Sequence, residues 1–413
     1  MRILNRLVRI ILGEAWIITI LFSVSSCIRN HKDELPSRTL LIYMAADNNL
    51  SQYANPNLYS MNSSIKNGAG NTNLIAFVDR VGEVPVLLRL HDMKIDTVKV
   101  YSELNSADAS VFAEVVDYVV KKWKAESYGL LMWSHGNGWV PTKMLHYVAP
   151  NMRYAPKRGS NDVQDSLLFE KLRDPFAETR AFAWEERKGQ QPAYTCMDLD
   201  DMAGAIPDGV FDFIVFDACY MGNVEVAYAL RKKARYIISS CYEIMGYGFP
   251  YHIITKDLLN GNLLKTCREF HNYYASQSGF DQMGGISLVK TDGLEGLADS
   301  FSKIVSQAKD TIPTMSIFDL QCFDRFTNPV FFDLEDFVNN ICHDKDMLDE
   351  FKMKLDNCVT FKMSTPYIFK DTSVEIEIKS YCGLSVYIPR KKYESSGLNA
   401  EYRKTAWSIA TGY

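Results

Sequence analysis

The sequence predicts an α/β protein with a mostly parallel central sheet and helices on both faces. Three observations predict this class. Short, almost unbroken apolar runs such as Leu40–Ala45 are typical of strands buried on both faces of a parallel sheet. Amphipathic segments with helical spacing, such as Ala109–Trp123, alternate with these runs. Loop or capping residues such as Asp47-Asn48-Asn49 follow the strands.

The elements follow one another in an order that indicates a doubly wound sheet with crossover helices. Buried strands are predicted at 40–45, 73–78, 128–133, 211–218 and 236–239. Residues 85–90 and 97–101 predict an antiparallel edge hairpin around Asp92-Met93-Lys94. The α/β core, with the loop 140–195 inside it, therefore spans 38–290.

Two stretches depart from this alternation. Residues 140–195 are polar and proline-rich without clear periodicity, which is typical of a functional or mobile loop. Residues 291–413 are mainly helical, with helices predicted at 294–309 and 334–341. A returning strand near 383–388 predicts that this C-terminal region packs back on the sheet, so a separately folded domain is not required.

The first residues are typical of a secretory signal. A basic start with Arg2, Arg6 and Arg9 precedes a short apolar run, Ala15–Val24, and the small residues before Cys27 resemble a bacterial lipobox. We therefore predict a signal peptide over 1–26, with Cys27 lipidated.

Residues 27–37 would then tether an exported, membrane-anchored lipoprotein at the cell envelope or cell surface. The alternative is an uncleaved anchor that runs from Ile10 and tolerates Glu14.

Composition excludes some partners. The chain has 45 basic and 50 acidic residues, a net charge of −5, and no Lys/Arg-rich run stands out, so nucleic acid is not expected. None of the nine cysteines forms a C-x-x-C pair, which gives no zinc or redox motif.

Two residues at strand ends carry the chemistry. His135-Gly136 follows the strand at 128–133, and Cys219 follows the strand at 211–218. Parallel neighbours bring both side chains to one sheet edge, where a thiol nucleophile finds its base. A helical pattern beginning after Cys219 predicts a helix N-terminus that stabilises the thiolate. Taken singly, each residue is more often structural: a buried thiol packing as a small hydrophobe, or a satisfied histidine.

The segments 131–139 (LMWSHGNGW) and 216–222 (FDACYMG) together resemble the clostripain family of cysteine peptidases, which belongs with the caspases, gingipains and legumain. Segments 43–50, 243–250 and 383–387 fit as well. The resemblance covers roughly residues 38–390. It implies a caspase-like fold and hydrolysis of peptide bonds in protein or peptide substrates.

The resemblance also implies roles. Cys219 would be the nucleophile and His135 the general acid/base, with the backbone N–H groups of Gly136 and Cys219 as the oxyanion hole. Asp217 matches an acidic residue of the S1 pocket, which favours Arg or Lys at P1, and Glu243 would be a second acid near it. Alternatively, Asp217 only orders the turn before the helix.

Relatives in this family cut themselves in the loop after the histidine. Loop 140–195 offers several basic residues for such a cut: Arg153, Lys157, Arg158, Arg173, Arg180, Arg187 and Lys188. Arg180-Ala181-Phe182 is the predicted position, and the alternative is a loop that is only an insertion.

Calcium dependence occurs in the family, but the sequence has no recognisable Ca²⁺ loop, so no metal or other cofactor is predicted. A monomer is expected. A non-catalytic surface lipoprotein that binds peptide or glycan is the alternative function, although it leaves the His–Cys pair unexplained. A serine hydrolase is disfavoured because the sequence has no G-x-S-x-G elbow.

Overall fold

The computed structural model describes residues 35–149, 182, 185–186 and 194–413. Its centre is a nine-stranded sheet. In chain order the strands are β1 (Arg38–Ala46), β2 (Thr72–Arg80), β3 (Val86–His91), β4 (Lys94–Val100), β5 (Tyr128–Trp133), β6 (Phe211–Asp217), β7 (Ala234–Ser239), β8 (Gly285–Lys290) and β9 (Val359–Ser364).

The spatial order of the strands is β9-β8-β7-β6-β5-β1-β2-β3-β4. The five strands from β7 to β2 run parallel, and the pairs at both edges are antiparallel. Every residue of β1 is buried, as expected for a central strand covered on both faces. The predicted α/β class with a mostly parallel sheet is confirmed.

Helices cover the sheet on both faces. They are α1 (Ser51–Ser64), α2 (Ala109–Lys122), α3 (Leu145–Val148), α4 (Leu199–Ala205), α5 (Val224–Ala229), α6 (Tyr251–Leu259), α7 (Leu263–Ala275), α8 (Leu294–Ala308), α9 (Leu334–Ile341), α10 (Lys345–Cys358), α11 (Leu398–Tyr402) and α12 (Ala406–Thr411). The chain leaves β1 toward β2 and later returns past β1 to β5. Because crossovers are right-handed, α1 and α2 lie on opposite faces.

The edge hairpin forms where the sequence predicts it. Only Asp92 and Met93 separate β3 from β4, and both have positive φ, 47° and 63°. Two such residues make the type of turn whose twist matches that of the strands it joins.

The other edge differs from the prediction. Strands β8 and β9 are not predicted by the sequence pattern. The apolar run of β8 is short and begins at two glycines, and β9 is a half-exposed edge strand. The strand predicted near 383–388 is reduced to Ser385–Val386 and pairs with Phe332–Asp333, not with the central sheet. Within the described chain, Pro36–Tyr413 packs as one unit.

Short strands of two residues complete the described elements: Glu185–Glu186 with Tyr194–Thr195, and Tyr367–Ile368 with Ile376–Glu377. Among the residues described, none of the helices is long and apolar enough to cross a membrane.

Candidate active site

A pocket at the carboxyl edge of the sheet contains both residues that the motifs single out. Its cavity volume is about 20 Å³. Its lining consists of Leu50, Trp133, Ser134, His135, Asp217, Ala218, Cys219, Ile244, Met245, Gly246 and Gly248.

Strand register explains why the two motifs meet. β5 and β6 are parallel neighbours, and their last residues, Trp133 and Asp217, are partners in the ladder. The N–H of Ser134 continues the pairing by donating to the carbonyl of Asp217 at 3.3 Å. The residues that follow each strand therefore emerge side by side.

Gly136 and Cys219 approach each other so closely that only glycine fits. A Cβ added at Gly136 would lie 2.2 Å from the carbonyl oxygen of Cys219 and 3.0 Å from its nitrogen. Neither distance is compatible with a side chain on this backbone, so the absent Cβ is what lets the two turns touch. The two backbones that the resemblance assigns to the oxyanion hole are thus in contact.

The thiol of Cys219 is 4% exposed. The N–H of Ile244 donates to its sulfur at 3.4 Å, and the sulfur lies 3.8 Å from the carbonyl oxygen of Ile244. Burial, followed by the negative charge of Glu243, raises the pKa of this thiol well above its ordinary value.

The expected stabilisation by a helix N-terminus is wrong. Helix α5 begins only at Val224, after a turn, and its N-cap Asn223 accepts from the N–H of Val226. Cys219 lies five positions before the helix, beyond the short reach of the helix dipole. Burial therefore favours the protonated form of the Cys219 thiol by raising its pKa.

His135 is held by Asn49, which the sequence pattern indicates only as a loop or capping residue. Its Nε2 lies 2.7 Å from Oδ1 of Asn49, which follows β1, and the ring is 1% exposed. An amide oxygen accepts, so the bond forms when Nε2 carries the proton. The signal available in the sequence was the Asp47-Asn48-Asn49 loop at the end of the strand next to β5.

Asp217 lies in the pocket wall beside the cysteine. Its Oδ2 accepts from the N–H of Phe249 at 3.2 Å and from the hydroxyl of Tyr251. Burial raises the pKa of this carboxyl to about 7, against the lowering effect of those two hydrogen bonds. Gly248 makes room for it, since a Cβ there would stand 2.3 Å from Oδ2.

Glu243 precedes Ile244 of the pocket lining, but its own side chain is buried outside that lining. It is 1% exposed and is not among the described residues that line the pocket. Its Oε1 accepts from the hydroxyl of Tyr220 at 3.0 Å and stands 3.5 Å from Nε of Arg325. The contacts described for this carboxylate are thus to Tyr220 and Arg325, and neither of these residues lines the pocket.

Some predicted positions lie outside the described residues. These are Cys27 with the signal peptide, and the basic residues of loop 140–195, including Arg180. Phe182, next to the predicted cut, is described: it is buried, and its carbonyl accepts from the N–H of Met197 at 2.9 Å. Across the described ranges, no group of three or more His, Cys, Asp or Glu residues could hold a metal ion.

A thiol and an imidazole that share a pocket at the carboxyl edge of a mostly parallel sheet define the class of this protein, a caspase-like α/β cysteine peptidase. The chain belongs to the clostripain family, whose model matches residues 42–161 and 170–409.

Named relatives agree with this assignment. The chain is 24% identical over 255 residues to clostripain of Hathewaya histolytica, a match that covers 54% of this chain and 42% of that protein. The match thus spans less than half the length of this curated relative.

Two solved structures are similar over nearly their whole length. One is an inactive zymogen C11 protease from Parabacteroides distasonis, with 28% identity, a TM-score of 0.74, and coverage of 92% of this chain and 98% of that one. The other is a secreted C11 cysteine protease from Bacteroides thetaiotaomicron in complex with an irreversible peptide inhibitor. It shows 26% identity, a TM-score of 0.71, and coverage of 91% of this chain and 98% of that chain.

Proposed function

We propose that the protein is an endopeptidase that cleaves after Arg or Lys through a dyad of Cys219 and His135. The observation that supports this most directly is the contact between Gly136 and the backbone of Cys219, with both dyad residues lining one pocket. A substrate carbonyl placed there meets a nucleophile, a base and backbone donors together.

The reaction proceeds in two halves. His135 takes the thiol proton, the sulfur of Cys219 bonds to the carbonyl carbon of the P1 residue, and the N–H groups of Gly136 and Cys219 stabilise the oxyanion. The C–N bond then breaks, and the imidazolium gives its proton to the departing amine. Water hydrolyses the thioester and regenerates the thiol. With Nε2 bonded to Asn49, these proton transfers fall to Nδ1.

Asp217 provides the preference for a basic P1 residue. Its carboxyl shares the pocket with the nucleophile, and an arriving guanidinium or ammonium would favour the ionised form of a group whose resting pKa is about 7. The bonds from Phe249 and Tyr251 fix the orientation of this carboxyl.

Activation by self-cleavage in loop 140–195 is part of the proposal. The two ends of this loop are fastened together, because Asp198 accepts from the N–H of Thr142 at 2.9 Å and from its hydroxyl at 2.6 Å. After a cut between Thr142 and Asp198, these hydrogen bonds would still hold the two flanking segments together. The similar structure from P. distasonis is named an inactive zymogen.

Self-cleavage is tested by incubating residues 28–413 and their Cys219→Ala variant, followed by intact-mass analysis. We expect paired fragments whose new ends lie after a basic residue of 140–195 in the wild type alone. Full activity without any cut would show that the loop is only an insertion.

We further propose that the protein is exported as a monomeric lipoprotein anchored through Cys27. The reaction is proposed to need no metal, because the nucleophile is the protein's own thiol. Cys27→Ser should release the protein from the membrane fraction of its bacterium or block its maturation. Unchanged attachment would favour the uncleaved anchor.

Gel filtration tests the monomeric state. Assays with EDTA or with added Ca²⁺ test whether the reaction needs a metal.

The dyad is tested with fluorogenic peptides varied at P1. Cys219→Ala and His135→Ala should each lower kcat by a factor on the order of 10⁴ or more. Cys196→Ala removes a partly exposed thiol outside the pocket lining and should leave kcat within about twofold of wild type. Residual turnover at the wild-type rate in Cys219→Ala would end the proposal.

A further inference from the structure

The residue after the nucleophile has a strained backbone. Tyr220 has φ of 58° and is fully buried, and it is neither glycine nor one of the short polar residues that tolerate this conformation. A left-handed conformation is unfavourable for such a residue, so the surroundings must hold it in place.

Contacts at both ends of Tyr220 do this. Its ring stacks on Phe331, with centroids 4.9 Å apart and planes 11° apart. Its hydroxyl donates to Oε1 of Glu243 at 3.0 Å. Its carbonyl accepts from the side-chain amide of Asn223 at 2.6 Å. The side chain therefore reaches from the strained turn to a buried carboxylate.

That carboxylate is itself fixed by a cation from the C-terminal region. Nε of Arg325 lies 3.5 Å from Oε1 of Glu243, and both side chains are largely buried, at 17% and 1% exposure. The guanidinium carbon stands 4.8 Å from the centroid of the Phe369 ring. A buried carboxylate needs such a partner, because burial without one is costly.

The same short segment contacts the nucleophile directly. Ile244 follows Glu243, and its N–H donates to the sulfur of Cys219 at 3.4 Å. Two consecutive residues, Glu243 and Ile244, therefore contact two consecutive residues, Tyr220 and Cys219.

We infer that Glu243, held by Arg325, is a positioning residue for the nucleophile: through the hydroxyl of Tyr220 it fixes the left-handed turn that sets where the sulfur of Cys219 stands. Glu243 thus acts through the turn and not by binding the substrate. The inference rests on the proposed function in that Cys219 is taken as the nucleophile.

The negative charge of Glu243 also acts on the pKa of the Cys219 thiol. The charged groups that act on the Cys219 thiol are Glu243, Asp217 and Arg325, and His135 shares its pocket. Burial raises the pKa of the thiol most, the two carboxylates raise it further, and Arg325 lowers it. Neutralising Glu243 should therefore lower this pKa while it loosens the turn.

Kinetics of three variants test the positioning. We expect Tyr220→Phe and Glu243→Gln each to lower kcat about tenfold with KM within about twofold, as for loss of one hydrogen bond to a charged group. The double variant should be no slower than Glu243→Gln, because both changes remove one interaction.

The chain offers a matched control pair. The hydroxyl of Tyr228 donates to Oε2 of Glu295 at 2.6 Å, on α5 and α8, and neither residue lines the pocket. Tyr228→Phe and Glu295→Gln make the same chemical changes and should leave kcat within about twofold of wild type. Thermal denaturation of each variant checks that it is folded.

A second measurement separates positioning from a merely structural role. Alkylation of Cys219 by iodoacetamide is followed by mass spectrometry as a function of pH. The midpoint should fall by about one pH unit in Glu243→Gln and stay near wild type in Tyr220→Phe.

Two results would overturn the inference: wild-type kcat in Tyr220→Phe, or an unshifted alkylation midpoint in folded Glu243→Gln. If Glu243→Gln does not fold, kcat of Tyr220→Phe decides. Failure of the proposed function is recognised separately, as an inactive wild type or an active Cys219→Ala.

Discussion

The two turns that form the pocket stand side by side but are held by different parts of the chain. The histidine turn (134–136) is fastened to the end of β1. The hydroxyl of Ser134 donates to the carbonyl of Ala45 at 2.8 Å, and the ring of His135 bonds to Asn49. Both partners lie on or just after the neighbouring strand.

The nucleophile turn (218–222), named for the proposed role of Cys219, is fastened by residues 240–244 after β7 and also by residues far along the chain. The carbonyl of Gly222 accepts from the N–H of Ser385 at 2.9 Å, and the ring of Tyr220 stacks on Phe331. Arg325 supports it through Glu243.

The imidazole is thus oriented from β1, whereas the turn that carries the thiol is supported by residues 240–244 and by the C-terminal region. Changes near β1 should therefore act on proton transfer. Changes in the C-terminal region should act on the nucleophile. The predictions below test this division, beginning where the two turns touch.

Among the tests of this division, the largest effect is expected from Gly136→Ala, which forces the turns apart. Its Cβ would lie 2.2 Å from the carbonyl oxygen of Cys219, so one backbone must move and both oxyanion donors are misplaced. We expect kcat/KM to fall on the order of 10²–10³-fold for every P1 residue.

Gly204→Ala is the control for this prediction. A Cβ at Gly204 on α4 would have no described heavy atom within 4 Å, and alanine there should leave activity within about twofold. Equal activity of Gly136→Ala and Gly204→Ala would show that activity does not depend on the close contact between the two turns.

Asp217→Asn tests whether the strand that carries the nucleophile also carries specificity. We expect kcat/KM on Arg and Lys substrates to fall about ten- to a hundredfold more than on uncharged ones, because a charge-assisted contact is lost. Equal losses at all P1 residues would mean that Asp217 only orders the turn.

The pH dependence sharpens this test. Because burial raises the pKa of Asp217 to about 7, its ionised fraction grows as the pH rises from 6 to 8. The ratio of kcat/KM for Arg over an uncharged P1 residue should rise across this window in wild type and stay flat in Asp217→Asn. Taking the ratio cancels titration of the dyad.

Asn49→Ala tests the histidine turn alone. Loss of the bond to Nε2 should lower kcat about tenfold, because the imidazole is no longer held in one tautomer and orientation. Asn49→Asp keeps an acceptor and should restore much of kcat while shifting the acid limb of the pH profile to higher pH. The alkylation midpoint of Cys219 should change little.

Asn55→Ala is the matched control, since the amide of the exposed Asn55 on α1 accepts only from Arg80 among the contacts described. It should behave as wild type. A kcat in Asn49→Ala equal to that in Asn55→Ala would show that β1 does not orient the imidazole.

Glu225→Gln should change activity least and stability visibly. Glu225 on α5 accepts from the N–H of Tyr387 at 2.9 Å, which ties the returning segment to the helix after the nucleophile turn. Burial raises its pKa from 4.5 to about 7 in the folded protein, against the hydrogen bond from Tyr387. Between these pH values the folded state binds more protons than the unfolded state, so stability falls as the pH rises.

This contribution amounts to at most about 3 kcal/mol and is absent in the neutral Gln variant. Urea unfolding at pH 5 and pH 8 should therefore show a smaller pH-dependent loss in Glu225→Gln than in wild type, with kcat within about twofold. The same pH dependence in both proteins would show that Glu225 does not titrate in this window.

Local patterns in the sequence were sufficient for strands β1 to β7 and for the two strand-end residues. Apolar runs predict β1, β5 and β6 because a strand buried on both faces must be apolar along its whole length. Parallel neighbours end at one edge, which is why His135 and Cys219 could be expected together before any contact was known.

The tertiary structure decided which groups face each other. Glu243 follows β7 as the pattern suggests, but its carboxylate meets Arg325 and Tyr220 rather than the pocket. Likewise the segment near 383–388 joins Phe332–Asp333 instead of the central sheet. Sequence periodicity reports how deeply a residue is buried. Periodicity does not identify the partner of a buried charge or of an edge strand, because that partner is often distant in the chain. Each buried polar group needs a partner, and the fold determines which group lies close enough to be that partner.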